Sequence, residues 1–462
     1  MSRQTVMGNG HVVSGWENPI VIAGGAVAWE GERLLALGPE AEIRDAYPAA
    51  RYLDARGGLI LPGLVNLHHH FYSALARGLD PGVEMSDFPE ILDRMWWRLD
   101  RALDRDTVRL SALLSAADCV RWGCTTVFDH HASPSCIDGS LDLLAEALTS
   151  AGISGVLCYE VTDRNGPEGT ELGIAENLRF IDAHADDRRI RGVVGLHASF
   201  TVSEATLAAV AARRSPVSGV HIHVAEHPVD DRFSRDTFGA TPIQRLERHG
   251  LLDAQALLAH GIHVEDGDYD RVAAAGATII HNPESNANNG VGRLDIPRAA
   301  DRGCGIGLGT DGMSSAVLRA QRSAFLGLRG GSEDPTLGFR DVPRLLATNA
   351  RVAGRFLGEP LLGQLAPGAP ADVIVVDSPP RTPLTSENWF PSFVYGVSET
   401  PVRHTIARGR LVLEDFNHTI LDPEALSSEA RALVPGLWER FHKLEWNTPY
   451  LGPARSVGKE NS

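Results

Sequence analysis

The sequence predicts an α/β protein in which a (β/α)₈ TIM barrel is inserted into a small composite β-sandwich domain built from both chain ends. Three observations support this fold class. Eight short apolar runs alternate with amphipathic helices in the middle of the chain, they span roughly 300 residues, and strands without long helices occupy the two ends. A chain of 462 residues is too long for one ordinary domain, and a barrel with an appended domain accounts for its length.

The two chain ends consist of short strands and turns. The run GGAVAWEG ends in a turn at Glu30-Gly31, and RLLALG follows as a second strand, so we assign residues 1–58 to the first part of the β-sandwich. Strand character returns in ADVIVVD and RHTIARGRLVLED, which assigns residues 359–420 to its second part. Residues 421–462 are expected to form a C-terminal helix and a polar tail.

Residues 59–358 carry the apolar runs of the barrel. In chain order the runs are LILPGLVNL, TTVFD, SGVLCYEV, IRGVVGLH, GVHIHVAE, ALLAHGIH, ATIIHN and CGIGLGTD. One connecting helix is expected between Asp106 and Gly123 as its caps, because apolar residues recur at i, i+3, i+4 and i+7 from Leu110. Strands that alternate with helices form parallel βαβ units, and eight such units close a barrel.

The composition excludes several kinds of partner. The formal net charge of −16 disfavours nucleic acid and anionic membrane surfaces, and no apolar run approaches the ~20 residues that span a bilayer. The first 19 residues lack the pattern of a signal peptide, so we expect a cytoplasmic protein with a small-molecule partner. The five cysteines form no Cys-x-x-Cys pair, which disfavours a disulfide framework or a zinc ribbon.

Lysine is nearly absent from the chain. Lys443 and Lys459 are its only lysines, and every other basic residue among the 43 is arginine. The body of the chain therefore offers no side-chain amine for Schiff-base catalysis, for attachment of pyridoxal phosphate or for a Walker phosphate loop.

Every apolar run ends in residues suited to metal binding or acid–base chemistry, and barrel enzymes place their active sites at these ends. In chain order the residues are His68-His69-His70, Asp129-His130-His131, Glu160, His197, His223 with Glu226, His260, His281 and Asp311. One strand-end histidine is usually satisfied by a neighbouring backbone group. Seven of the eight runs end in histidine or aspartate, which indicates a functional site. The third run ends in Glu160, which completes the set.

The alternation of side chains along a strand separates these histidines by role. His68 and His70 project to one face, so both imidazoles can bind one metal ion, while His69 points away. His221 shares the face of His223 but lies one layer deeper, so we expect it to be structural.

The residue types indicate a metal site. Glu226 stands at an odd offset from His223 and reaches the barrel centre only if the chain leaves strand geometry there. A zinc-type ion favours nitrogen ligands with an added carboxylate, and His68, His70, His223 and Asp311 supply three imidazoles and one carboxylate.

Several motifs resemble those of a known family. The string LPGLVNLHHH resembles the PG-x-V-N-x-H-x-H signature of the amidohydrolase superfamily, and HVAE, LAHGIH, HNPESN and GLGTDG follow in the order of its aminohydrolase (deaminase) branch. GQLAPGAPADVIVVD is similar to the closing motif of the family's β domain, although Ala369-Pro370 replaces a common lysine there. Through FYSALARG, MWWRLD, DHHASP, CYEVTDR and LHASFTVS the chain is most similar to the SsnA-type aminohydrolases, near guanine, 8-oxoguanine and pterin deaminases.

The resemblance implies one divalent metal ion per subunit, with Zn²⁺ favoured over Fe²⁺. Binuclear members of the superfamily mostly bridge their metals through a carbamylated lysine, and this chain has no lysine before Lys443. A mononuclear site, or a rarer bridge, is therefore expected, and hydantoinase, dihydroorotase and phosphotriesterase activities are disfavoured. The family also implies a homo-oligomer.

The resemblance implies hydrolytic deamination of a purine-like or pterin-like heterocycle by a metal-activated hydroxide. Glu226 would move a proton from water to a ring nitrogen, His260 would hold the hydroxide, and Asp311 would protonate the departing ammonia. Two alternatives stay open. The same site could hydrolyse a cyclic amide, a C–Cl bond or a C–S bond, or the protein could be a scaffold without activity.

Five residues are candidates for binding the substrate. His197 and His281 stand at strand ends where related deaminases contact the heterocycle, and His131 stands at another. Trp97 lies in a long insertion after the first strand, where it could stack on a flat ring or pack within the insertion. Arg77 could face an anionic group of the substrate or be a solvated surface residue.

Overall fold

The computed structural model describes residues 4–215, 217–330 and 332–446. It contains a parallel eight-stranded barrel with surrounding helices and a separate sheet formed by the chain ends, which confirms the predicted fold class. Within these residues no helix is long and apolar enough to cross a membrane. The predicted polar tail from residue 447 onward lies outside the described residues.

The strands are β1 Thr5–Val13, β2 Val21–Glu30, β3 Arg33–Pro39, β4 Arg51–Asp54, β5 Leu59–Pro62, β6 Leu64–His69, β7 Cys124–His131, β8 Ser154–Val161, β9 Ile190–Gly192, β10 Val194–Ala198, β11 Val220–Val224, β12 Leu257–His260, β13 Thr278–His281, β14 Gly305–Leu308, β15 Val373–Val376, β16 Val402–Ala407, β17 Arg410–Glu414 and β18 Asn417–His418.

The α-helices are α1 Glu40–Ala46, α2 Phe88–Ile91, α3 Trp97–Ala102, α4 Arg105–Arg121, α5 Ser140–Ala151, α6 Gly166–Ala183, α7 Glu204–Arg213, α8 Pro228–Phe238, α9 Pro242–Arg248, α10 Asp266–Ala275, α11 Pro283–Asn288, α12 Ile296–Asp301, α13 Val317–Arg329, α14 Arg344–Leu357, α15 Trp389–Tyr395 and α16 Pro423–Lys443.

The barrel follows the chain order β6, β7, β8, β10, β11, β12, β13 and β14, with every neighbouring pair parallel and β9 added beside β8. It closes where the backbone oxygen of His68 accepts hydrogen bonds from the N–H groups of Thr310 and Asp311, at 3.0 and 2.9 Å. The strand-end residues predicted from sequence therefore meet around one axis.

The first apolar run divides at Gly63 between the two sheets. β5 pairs with β1 and β15 in the outer sheet, whereas β6 begins the barrel. A Cβ at position 63 would lie only 2.4 Å from the hydroxyl of Thr125, so glycine permits the close passage from one sheet to the other. The domain limits at residues 58, 358 and 420 stay a prediction.

The outer sheet joins both chain ends. Its order is β18, β17, β16, β15, β5, β1, β2 and β3, with β4 beside β1, so strands from before and after the barrel share one sheet. β2 pairs with β3 across the predicted turn at Glu30-Gly31, and the run RHTIARGRLVLED divides into β16 and β17, which pair with each other. This arrangement holds the two ends of the barrel segment together.

The N-cap of helix α4 lies two residues before the predicted cap, Asp106. Asp104 is the N-cap, and its carboxylate accepts a hydrogen bond from the N–H of Thr107 while the Thr107 hydroxyl accepts one from the N–H of Asp104. The reciprocal pair satisfies both backbone donors, which fixes the start of the helix better than Asp106 could.

The insertion between β6 and α4 is helical and covers the carboxyl end of the barrel. It contains a 3₁₀ turn at Phe71–Ala76, α2, a π-helical segment at Leu92–Trp96 and α3. Phe88, Leu92 and Trp97 pack against Ala198 and Phe200 at the end of β10. The insertion is therefore anchored directly beside the strand-end histidines.

Candidate active site

A cavity lies at the carboxyl ends of the barrel strands and is bounded on one side by the insertion. Aromatic side chains of the insertion form much of its apolar wall. Its acidic and histidine lining comprises His70, Asp100, Glu160, His197, His223, Glu226, His227, Asp230, His260 and Asp311. Most of the residues predicted from the strand ends are thus brought to one chamber.

Three histidines and one aspartate point their ligand atoms at a common point. The ligand atoms of His68, His70 and His223 all lie within 4.8 Å of one another. Asp311 Oδ1 lies 3.1 Å from His70 Nε2 and 3.8 Å from His68 Nε2. This is the set of ligands predicted from the sequence, and it combines three imidazoles with one carboxylate.

Backbone carbonyl groups orient two of these rings. The Nδ1–H of His70 donates to the carbonyl oxygen of His130 at 2.5 Å, and the Nδ1–H of His223 donates to that of His197 at 2.8 Å. Because a carbonyl can only accept, the proton of each neutral ring stays on Nδ1 and the lone pair of Nε2 faces the common point.

His68 is oriented by a second histidine. His68 Nδ1 and His221 Nε2 share a hydrogen bond of 2.9 Å, deep in the barrel. His221 thus lies one layer below the site, where alternation along β11 places it. His69 points away from the cavity, with Nε2 3.0 Å from the hydroxyl of Ser315.

The donor set fits a divalent cation. His68 Nε2 is fully buried and has no hydrogen-bond partner among the described residues, which is costly unless a ligand occupies the point that it faces. Burial lowers the pKa of His70, but the hydrogen bond and the charge of Asp311 outweigh burial and raise the pKa to about 9. The environment therefore favours positive charge at this point, and three imidazoles with one carboxylate are donors that zinc-type ions accept.

A bend after β11 brings Glu226 into the cavity. Ala225 adopts φ 48°, in the left-handed region, so the chain leaves strand geometry immediately after Val224. The Asp230 carboxylate holds this bend, with Oδ2 accepting from the N–H of Ala225 at 2.8 Å and Oδ1 from the N–H of Phe200 at 3.0 Å. Glu226 could reach the barrel centre only if the chain left strand geometry before it, and the bend at Ala225 provides this.

His260 and Asp311 also stand on left-handed backbone, with φ of 74° and 53°. Asn286 Oδ1 lies 2.8 Å from His260 Nδ1, and the Ser285 hydroxyl donates to Asp311 Oδ2 at 2.7 Å. Non-glycine residues in this region are strained, and such strain clusters where side chains must be held in one direction. Sequence analysis missed Ser285 and Asn286 as positioning residues, although the string HNPESN contained them.

His260 Nε2 faces both carboxylates of the cavity, at 3.4 Å from Glu226 Oε2 and 3.7 Å from Asp311 Oδ2. Burial and the charge of Asp311 raise the pKa of Glu226 well above its ordinary range. Burial acts on Asp311 in the same direction, but its hydrogen bond and charge interaction with His70 outweigh burial and hold its pKa well below the ordinary range. Of the two carboxyl groups, Glu226 therefore keeps its proton to the higher pH and Asp311 ionises at the lower pH.

The opposite wall carries a buried charge cluster that sequence analysis did not assemble. Arg164 lies 2.9 Å from Glu160 Oε1 and 3.5 Å from Asp100 Oδ2, and its guanidinium stacks 4.4 Å from the ring centre of Trp97. Burial raises the pKa of Glu160, but the neighbouring His197, His130 and Arg164 outweigh burial and hold it well below the ordinary range. Burial raises the pKa of Asp100 to about 7.

The five predicted substrate residues divide by position. Trp97 and His197 line the cavity. His131 and His281 are buried beside the barrel end but do not line it, and His131 Nε2 lies 2.9 Å from the hydroxyl of Ser133. Arg77 corrects our expectation: it lies on the outer surface, where its guanidinium pairs with Asp118 at 2.6 Å, so it cannot face an anion in the cavity.

Comparison with known sequences finds one family across most of the chain. A model of the amidohydrolase family matches residues 59–412. The 5-methylthioadenosine/S-adenosylhomocysteine deaminase of Nitratidesulfovibrio vulgaris is 30% identical over 423 residues, 89% of this chain and 92% of that protein. The 5′-deoxyadenosine deaminase of Methanosarcina mazei is 28% identical over 429 residues, 90% of this chain and 94% of that protein. The resemblance found in the sequence is thus confirmed.

Solved structures share the fold at lower identity. An adenosine deaminase from Xanthomonas campestris with bound zinc superposes with a TM-score of 0.82 at 21% identity, covering 96% of this chain and 99% of that one. Atrazine chlorohydrolase from Arthrobacter aurescens TC1, complexed with zinc, gives a TM-score of 0.77 at 22% identity, covering 93% and 100%. These likenesses establish the barrel and its appended sheet.

Proposed function

The chain belongs to the amidohydrolase family and is a hydrolase of the deaminase type, acting on carbon–nitrogen bonds other than peptide bonds, and from this premise we propose that it deaminates an adenine-like heterocycle. One observation carries the proposal. Glu226 and Asp311, whose pKa values are shifted in opposite directions, both face His260 beside three convergent imidazoles. A donor and an acceptor of protons are what hydrolytic loss of an amino group requires.

We propose that His68, His70, His223 and Asp311 hold one divalent metal ion, with Zn²⁺ preferred to Fe²⁺. When bound, such an ion lowers the pKa of a water ligand toward neutrality and so supplies a nucleophile. The three imidazoles suit both ions. The adenosine deaminase and the atrazine chlorohydrolase both contain zinc, which supports Zn²⁺ as the first ion to test.

The proton transfers fall to the residues opposite the ligands. Glu226, held protonated, donates to the ring nitrogen beside the reacting carbon, which makes that carbon more electrophilic. Asp311, held ionised, accepts a proton from the attacking water and passes it to the departing amino group. His260 Nε2 faces both carboxylates and holds the oxygen during its addition. Water thus adds to the carbon, and the C–N bond breaks as ammonia leaves. The proton left on the added oxygen returns to Glu226 as the carbonyl forms.

Aromatic side chains of the insertion would hold the ring in place. Phe88, Trp96 and Trp97 line the cavity together with Tyr72 and Phe200. Flat aromatic walls bind a planar heterocycle by offset stacking or edge contacts. The cavity therefore offers a binding surface for the ring and acid–base groups for its amino substituent.

An ammonia-release screen tests the proposal on the purified, metal-loaded protein. The panel contains adenosine, 5′-deoxyadenosine, 5′-methylthioadenosine, guanine, a pterin, a chlorotriazine and a hydantoin. We expect ammonia from at least one adenine compound, in an amount equal to the substrate consumed. Chloride release or ring opening without ammonia would instead favour the alternative reactions. A protein that binds no metal and turns over none of the compounds would favour a scaffold.

A further inference from the structure

Apart from histidines, the ionisable side chains on the cavity wall are mostly carboxylic acids and include no basic residue. The acidic lining residues are Asp100, Glu160, Glu226, Asp230 and Asp311. Among the described residues that line the cavity there is no arginine or lysine. A cavity built in this way offers no side-chain cation to a carboxylate or phosphate of the substrate.

Arg164 compensates the wall from behind. Its side chain is only 3% exposed and contacts both Glu160 and Asp100, yet it does not line the cavity. One guanidinium thus serves two carboxylates, and the face presented to a substrate is the acidic one. The Trp97 ring, which lines the cavity, stacks on the guanidinium at 4.4 Å.

Two unpartnered atoms on this wall indicate a ligand. Asp100 Oδ1 and Trp97 Nε1 are buried and have no hydrogen-bond partner among the described residues, although both side chains line the cavity. One atom accepts and the other donates a hydrogen bond. A substrate hydroxyl or amino group can satisfy the acceptor while a hydroxyl or ring nitrogen satisfies the donor.

We propose that the wall of Trp97, Asp100 and Glu160 selects substrates whose part away from the reacting ring carries hydroxyl or amino groups and no carboxylate or phosphate. This inference rests on the proposed deaminase function and names its substrate class. Uncharged compounds such as 5′-methylthioadenosine are accepted. The S-carboxymethyl analogue of this nucleoside, which carries a carboxylate, and adenosine monophosphate, which carries a phosphate, are disfavoured by charge repulsion without a compensating cation.

The test compares matched pairs on the metal-loaded protein at about pH 8, above the pKa of Asp100 at about 7. The pairs are 5′-methylthioadenosine with its S-carboxymethyl analogue, and adenosine with adenosine monophosphate. Binding is measured by calorimetry and turnover by ammonia release. We expect kcat/KM to be at least about 10²-fold lower for each anionic member, mainly through KM. Equal values within each pair would overturn the inference.

Variants separate a role in charge selection from a structural one. Glu160→Gln is expected to reduce the ratio of kcat/KM between the uncharged and the anionic member of each pair by about 10-fold. Asp100→Asn provides a second variant should the first fail to fold. Glu171→Gln is the matched control, because Glu171 is exposed and pairs with Arg213 on the outer surface. If the ratio of kcat/KM within each pair is unchanged in both cavity variants, these carboxylates do not select substrates by charge.

Binding without turnover distinguishes the two proposals. If the uncharged compounds bind, the anionic ones do not, and no ammonia is released, the deaminase proposal fails while charge selection stands. If all four compounds bind and turn over equally, the deaminase proposal stands and charge selection fails. Binding of none of the four would overturn both.

Discussion

The carboxylate of Asp230 holds Ala225 in left-handed backbone geometry: Oδ2 accepts the Ala225 N–H at 2.8 Å, and Ala225 has φ 48°. The bend turns the chain immediately before Glu226 and directs that side chain into the cavity. Asp230 therefore positions Glu226, the proposed proton donor.

Replacing Asp230 is expected to misplace Glu226. Asp230→Asn keeps one acceptor oxygen and leaves one of its two backbone donors unpaired, so we expect kcat to fall about 10-fold to 10²-fold, with KM and metal content nearly unchanged. Steady-state kinetics and metal analysis measure this. Asp231→Asn is the matched control, because the half-buried carboxylate of that neighbour pairs with Arg235 on the same helix. Parallel loss of metal and kcat would contradict a positioning role.

The same carboxyl group makes stability depend on pH. Burial raises the pKa of Asp230 from its ordinary 3.8 to about 7, so the folded protein keeps this proton through a range where the unfolded chain releases it. Its contribution to stability is complete below pH 3.8 and is lost as the pH rises toward 7. Relative to Asp230→Asn, the wild type should therefore become less stable across this interval, by up to about 1.4 kcal/mol for each rise of one pH unit.

Urea unfolding of the metal-free proteins at several pH values checks this slope. The comparison with the variant isolates Asp230, because carboxylates with lowered pKa values, such as Glu160 and Asp311, are present in both proteins. A difference in the free energy of unfolding that stays constant with pH would show that Asp230 is ionised throughout.

Glu226→Gln tests the proton donor. The amide cannot transfer a proton to the ring nitrogen, so we expect kcat to fall by at least about 10²-fold while the metal content stays at one ion per subunit. Glu247→Gln is the control, because Glu247 is exposed and pairs with Arg271 outside the site. Full activity of the metal-loaded Glu226→Gln protein would show that another group supplies the proton.

Much of the site was predictable because strand geometry is regular. Alternation along one strand places His68 and His70 together, and parallel strands end at one rim, which brings Asp311 to them. The bend at Ala225 was not predictable, since alanine carries no sequence signal for left-handed backbone. Pairing of Arg164 with residues of the insertion depends on packing between segments distant in the sequence, which local patterns do not encode.

The error at Arg77 has the same cause. FYSALARG places this arginine shortly after the metal-binding strand, but sequence proximity does not fix the direction of a side chain that follows a 3₁₀ turn. Its partner, Asp118, lies near the end of α4, and their contact exists only because that helix packs beside the turn.

His221 is expected to tune metal affinity without binding the metal. Its Nε2 lies 2.9 Å from Nδ1 of His68 and fixes that ring. His221→Phe preserves much of the volume but removes the hydrogen bond, so metal affinity should fall about 10-fold to 10²-fold. Competition with a chelator measures the affinity, and His249→Phe, outside the site and paired with Glu204, is the control. Unchanged affinity would mean that packing alone orients His68.

Metal loading should stabilise the fold through the four proposed ligands. Four ligands from three barrel strand ends (those of β6, β11 and β14) come together only in the folded protein, so an ion present at 100 times its Kd stabilises it by about 2.7 kcal/mol. We expect chelation to lower the melting temperature and abolish ammonia release, and addition of Zn²⁺ to restore both. Parallel reconstitution with Fe²⁺ decides between the two ions. In His68→Ala and His70→Ala the ion should no longer raise the melting temperature, whereas a rise as large as in the wild type would place the metal elsewhere in the chain.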